Sequence, residues 1–283
     1  MNFTTILVNL NNEPRVPELI AAAAAIARPT EAHVVGLYVK PPLFMPSDVI
    51  LPMGADFYEE QVVEHRAQAE RIKTVFDRLT HGEAYVAEWR IFGDARTAYE
   101  SIADGVIDQS RAADLVIVSQ ALDGKDSPML TDIAERVAIE SGRPVLVIPS
   151  VWLAREYGRD VAVAWNDSRE ATRAAFDALP LLERAKKVRL ITVGEPTDSA
   201  GKNTIPSAEV ASTLARHGLD VEVETVTNAD RHTGNAILSR VVADGSDLLV
   251  MGAYGHSRMR EFVLGGATRD VLKNMTVPVL MSH

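Results

Sequence analysis

The chain has 283 residues, 47% of them hydrophobic, no cysteine, and a formal charge of -10 with a pI near 5.2. That length suits two domains, and the missing thiols exclude disulfides, zinc-thiolate and iron-sulfur sites and thiol catalysis. The acidity argues against a general nucleic-acid binder, but not against one bound nucleotide, which needs only a few local donors.

In chain order, "TTILVNLNN" at 4–12 reads as a buried strand running into a turn. The opening "MNFTTILVNLNNEP" has no basic segment followed by an apolar one, so no signal peptide is expected. "LIAAAAAIA" is too short to span a bilayer, so a cytoplasmic protein without membrane contact is the expectation. "PELIAAAAAIARPT" has the pattern of a helix, and "AHVVGLYV" at 32–39 that of a second strand. Residues 39–57 have no period and four prolines, which predicts a long loop. Glu59 to Leu79 predicts an amphipathic helix with Val62, Ala69, Ile72, Phe76 and Leu79 on one face. "ADLVIVS" at 113–119 and "GRPVLVIPS" at 142–150 supply later strands, and a boundary falls near residue 150.

The pattern then repeats. "RDVAVAWND" at 159–167 matches the first strand, and "SREATRAAFDALPLLERA" stands where the first helix stood. "KKVRLITV" at 186–193 matches 32–39, and "SAEVASTLARHG", stopped by Gly218, matches the long helix. "SDLLVMG" at 246–252 matches 113–119, and "TVPVLMSH" at 276–283 matches 142–150. Four colinear pairs make the chain a duplication. Residues 1–150 and 151–283 each read as an α/β, doubly wound parallel-sheet domain of Rossmann-like type with right-handed crossovers. The closing strands "PVLVI" and "PVLM" look like edges that need a partner. They are expected to pair antiparallel across a pseudo-twofold axis, joining the halves, and an exposed edge would also permit a homodimer.

The stretch "VMGAYGHSRMREFVLGGATRDVL" at 250–272 carries the chemistry. Gly252 ends a strand at the carboxyl edge, where parallel sheets place ligands. Gly252 and Gly255 let the strand turn with no side chain in the way. Gly265, Gly266, Ala267 and Thr268 open a helix whose N–H groups suit an anion. Glycines with free φ let a phosphate approach the backbone, and Thr268 adds a hydroxyl. The plain alternative is a tight connection between strand and helix. The stretch is neither a P-loop nor a dinucleotide fingerprint. His256 and Arg258 are expected to face solvent. The seven histidines show no metal-ligand spacing, and Ser101 and Ser257 lack a hydrolase setting.

Gly252-x-x-Gly255, nine residues, then Gly265 resembles the nucleotide-binding signature of the universal stress protein family, and the resemblance covers the chain as two tandem copies. It implies an adenine-nucleotide-binding, adenine nucleotide alpha hydrolase-like fold that pairs through its last strand and binds ATP, with Mg²⁺ arriving only as the nucleotide's companion. It further implies that Asn166 stands where the family has an aspartate near the ribose and adenine, and Ala164 where a proline is common. Val193 flanks the adenine, Met251 precedes the signature, and Gly266 replaces a serine or threonine. The first half departs from the pattern. Ser119 and Leu122 replace the signature glycines, aspartates of the run Asp123 to Asp126 enter the anion region, and Asn11 stands at the ribose position. The resemblance thus implies one adenine nucleotide per chain, bound in the second half by a stress-associated regulatory protein. A slow ATP-hydrolysing enzyme and a pseudo-dimer with a vestigial site are the competing readings.

Overall fold

The structure, a computed structural model, describes residues 2–43, 55–93, 101–121, 126–152, 156–194, 207–226, 232–255 and 266–283. Among the described residues, five strands fall in each half. The first has β1 (Thr5–Asn9), β2 (His33–Val39), β3 (Ala87–Phe92), β4 (Leu115–Ser119) and β5 (Val145–Ile148). The second has β6 (Asp160–Trp165), β7 (Lys187–Val193), β8 (Val221–Val226), β9 (Leu248–Gly252) and β10 (Val279–Ser282). All ten form one sheet in the order β3-β2-β1-β4-β5-β10-β9-β6-β7-β8. Pairing within each half is parallel. At the centre β5 and β10 run antiparallel, with Leu146 opposite Leu280. The two closing strands thus cover one another's edges, as expected. The outer edges, β3 and β8, carry charges such as Glu88, Arg90, Glu222 and Glu224, which discourage further strand addition.

Helices cover both faces. On one lie α1 (Val16–Thr30), α2 (Ala55–Thr80), α5 (Arg169–Asp177), α6 (Leu179–Leu182) and α7 (Ser207–Ala215). On the other lie α3 (Ile102–Ser110), α4 (Ile133–Glu140), α8 (Thr233–Ala243) and α9 (Gly266–Asn274). Each face forms one apolar cluster that runs through both halves. The connector adds a tie: the Tyr157 hydroxyl donates to the Ala22 carbonyl at 2.8 Å.

Three local outcomes refine the sequence reading. The segment expected as one helix at 168–185 breaks into α5 and α6, because Pro180 brings no N–H to continue the ladder. In α2, Ala69, Ile72 and Phe76 are buried, but Val62 is 46% exposed; the apolar stripe outruns the body it covers. Of the long loop at 39–57, residues 44–54 lie outside the described residues, and α2 starts at Ala55. The repeated aspartate of "ADL" and "SDL" also gains a reason. Asp114 accepts from the backbone N–H groups of Thr4 and Thr5, and Asp247 from those of Gly158, Arg159 and Asp160. Each carboxylate ties the start of its half's first strand to the start of the neighbouring strand.

Candidate functional site

The first strand of the second half, β6, lies between β9 and β7. The chain leaves it in one direction and returns on the other side, so a crevice opens at the carboxyl ends of these strands. It is a cleft of about 340 Å³, within the size range of small-molecule sites. Ala164, Trp165 and Asn166 supply one wall, Ile191 and Val193 a second, and Met251, Gly252, Tyr254 and Gly255 a third. Thr233 and Ile237 of α8 and Gly266, Ala267 and Thr268 of α9 close the end.

Nine of the ten residues singled out from sequence meet around this cleft: Ala164, Asn166, Val193, Met251, Gly252, Gly255, Gly266, Ala267 and Thr268. The tenth, Gly265, lies outside the described residues, as do His256, Ser257 and Arg258. Sequence reasoning missed Ile191, Thr233, Ile237 and Tyr254, and Trp165 lines the cleft as well. Strand alternation pairs Ile191 with Val193, and helical spacing pairs Thr233 with Ile237, so both signals were present. Tyr254 sits between the two signature glycines and takes the left-handed conformation there, at φ 58°.

Gly252 and Gly255 also have a packing role. A Cβ on Gly252 would lie 2.5 Å from the Ala171 nitrogen and 2.6 Å from the Glu170 carbonyl carbon. A Cβ on Gly255 would lie 2.9 Å from the Ser168 hydroxyl oxygen and 3.0 Å from the Glu170 carboxylate. Both therefore clear space for the N-terminus of α5. Ser168 caps that helix, accepting from the Ala171 N–H at 3.1 Å. Among the described residues, nothing lies within 4 Å of where a Cβ on Gly266 would stand, so their packing does not demand glycine there.

Thr268 is 3% exposed, and its hydroxyl accepts the Tyr254 N–H at 3.1 Å. It locks the turn after β9 to α9 and keeps its own proton to donate. The first N–H groups of α9 find no carbonyl within the helix, so this end carries positive potential at the cleft. The N-terminus of α8 touches it: a Cβ on Gly234 would lie 2.8 Å from the Ala267 carbonyl oxygen. Burial first, and then the Glu135 carboxylate of α4, push the Tyr254 phenol well above its usual pKa, so it stays protonated at neutral pH. None of the described lining residues bears a charged side chain.

The corresponding place in the first half holds, among the described residues, a space of about 10 Å³ between Asn9, Asn12, Ser119, Gln120, Asp126, Leu130 and Ile133. Val8 pairs with Ile117 as Val163 pairs with Val250, which puts Asn9 where the second half has Ala164. Asn9 donates to Asn11 at 2.8 Å, and Asn11 holds both the N–H and the carbonyl of Val39. Asn11, at the position the resemblance assigns to the ribose, is 4% exposed and closes the edge. Asn12 donates to Asp126 at 3.2 Å. Of the acidic run Asp123 to Asp126, only Asp126 is described, and Leu122 is not.

Comparison with known proteins agrees with this geometry. The family model described as "Universal stress protein family" matches residues 158–283. A universal stress protein of Synechocystis sp. is 35% identical over 94 residues, which is 33% of this chain and 31% of that protein. The chain thus matches under a third of that relative's length. A universal stress protein from Archaeoglobus fulgidus has the same fold across 99% of this chain and 98% of its own, with a TM-score of 0.73 at 17% identity. A functionally unknown protein from Pseudomonas aeruginosa covers 99% of this chain and 92% of its own, at TM-score 0.59 and 16% identity. Residues 158–283 thus match the universal stress protein family, and the whole chain shares the fold of a universal stress protein of similar length.

Proposed function

We propose that the second half binds one adenine nucleotide, ATP being the expected form, and that the first half is a degenerate copy which binds none. The observation that carries this is the contrast in free volume at equivalent sheet edges, about 340 Å³ against about 10 Å³. The wider cleft suits such a ligand. Ile191, Val193, Met251 and Ile237 offer apolar surface for a flat base. The Asn166 amide can hydrogen-bond a ribose hydroxyl. The N-terminus of α9, with Gly266, Ala267 and Thr268, suits the phosphates. With no charged side chain among the described lining residues, Mg²⁺ accompanying the nucleotide would balance the remaining phosphate charge.

We read the protein as a binding module of stress regulation, working in the cytoplasm, rather than an enzyme. The described lining offers an amide, hydroxyls and a phenol held protonated, none of them a general base at neutral pH. Two measurements test this. Mass spectrometry of protein purified without added ligand should release an adenine nucleotide. Calorimetry with Mg-ATP should then give a stoichiometry near one per chain. A stoichiometry near two would restore the first half as a site, and neither release nor titration heat would make the cleft vestigial.

A further inference from the structure

The degenerate edge of the first half does not end at its own boundary. Gln120 follows β4 directly and is 4% exposed. Its side-chain nitrogen donates to the Leu272 carbonyl at 2.7 Å and to the Lys273 carbonyl at 3.1 Å. Its side-chain oxygen accepts the Ser150 N–H at 2.8 Å, just past β5. The carboxamide is thus pinned to the first half and spans the junction to cap the last turn of α9. Alanine, Ala253, occupies the matching position after β9, because Ala253 and Gln120 each donate their N–H to the last pairing strand of their own half. The strut therefore runs one way only, from the first half to the second.

The chemistry of α9 makes this consequential. The helix has nine residues, too short to persist by its own hydrogen bonds. Its buried anchors are Thr268 and Val271. Its last carbonyls have no partner within the helix, and burying them unpaired is costly. We propose that Gln120 is a positioning residue for the cleft: by holding the C-terminal turn of α9, the first half fixes the depth at which the N-terminus of that helix faces a ligand. The affinity consequence rests on the nucleotide-binding reading above; the effect on α9 does not.

The test compares two substitutions in the same edge. Gln120→Met keeps the side chain's length and removes both donors. Asn11→Ala removes two hydrogen bonds to Val39 and reaches nothing in α9. Hydrogen exchange of the α9 amides should accelerate about fivefold or more in Gln120→Met and stay at the wild-type rate in Asn11→Ala. Affinity for Mg-ATP should fall about three- to tenfold in Gln120→Met, and not in Asn11→Ala at comparable loss of thermal stability. Unchanged α9 exchange in Gln120→Met, or equal acceleration in both variants, would overturn the strut whether or not the wild type binds nucleotide. If Gln120→Met folds poorly, Gln120→Ala with the same two readouts serves in its place. A wild type that takes no Mg-ATP would sink the nucleotide reading and leave the exchange result to decide the strut.

Discussion

Two sheet edges with one topology differ in whose atoms fill them. In the first half, Asn9, Asn11, Asn12 and Asp126 bond to one another and to the backbone, and Arg15 adds a lashing. Its guanidinium donates to the Ser150 carbonyl at 2.8 Å, to the Pro149 carbonyl and to the Ser119 hydroxyl. In the second half, register puts Ala164, Gly252 and Ala253 in the places of Asn9, Ser119 and Gln120, and the volume returns. The two edges differ without a change of fold. In the first, a few side chains are long enough to satisfy each other. One residue of that edge, Gln120, also reaches across to the last turn of α9.

The largest effect should come from the position where the two edges differ most in backbone clearance. Gly252→Ala puts a methyl 2.5 Å from the Ala171 nitrogen, so α5 or β9 must shift. A loss on the order of 3 kcal/mol in urea unfolding is expected. Gly266→Ala, with open space around it, should stay within about 0.5 kcal/mol of wild type. Equal losses would mean that the signature glycines share one role, against the geometry.

A smaller effect should follow from transplanting the filling. Ala164→Asn with Ala267→Ile gives the cleft the residue found at the equivalent strand position and one like the Ile133 that lines the first edge. Mg-ATP affinity by calorimetry should drop at least tenfold, about 1.4 kcal/mol, with far-UV circular dichroism unchanged. Retained affinity would show that the filled first edge is not what separates the halves.

Smaller still is the response of Trp165, 6% exposed at the cleft wall. Saturation with Mg-ATP should shift its emission, isolated by a Trp89→Phe, Trp152→Phe background. Trp89 packs on Phe76 and Trp152 on Tyr157, and neither lines the cleft. An unmoved spectrum at saturation would place the ligand elsewhere.

How much of this was legible in the residues follows from the range of each interaction. The eight inner strands announced themselves because each is a short, largely buried apolar run, whereas the charged, part-exposed edge strands β3 and β8 did not. The antiparallel join of β5 and β10 could be expected because both runs needed cover and each ended its half. Ala164, Val193 and Met251 could be placed because the family resemblance assigned them and each stands near a strand's carboxyl end. The reasons behind Gly252 and Asn11 were not legible. One depends on how closely α5 approaches β9, the other on a carboxamide folding back to a backbone 28 residues away. Gln120 was out of reach altogether, since its partners lie 152 and 153 residues along the chain.

The smallest expected effect separates the halves by pH, through the paired aspartates where their strands begin. For Asp114 burial pushes the pKa up, but the Thr4 hydroxyl and the Thr4 and Thr5 N–H groups outweigh it and hold the carboxyl below its usual range. Folding therefore favours its ionised form. Its contribution to stability is present above the unfolded carboxylate pKa, about 3.9, and is lost as pH falls through the folded value. For Asp247 burial wins over the N–H groups of Arg159, Asp160 and Gly158, the charge of Asp160 adds to it, and the carboxyl sits above its usual range. Folding there favours the protonated form, so that contribution is complete below about pH 3.9 and fades as pH rises through the folded value. Asp114→Asn and Asp247→Asn should move oppositely against wild type on acidification from neutral pH. The stability gap to Asp114→Asn should shift in the variant's favour, and the gap to Asp247→Asn in favour of wild type, as read by urea unfolding at each pH. Parallel shifts would mean that the two aspartates are electrostatically equivalent, and that the asymmetry of the molecule is confined to its ligand edges.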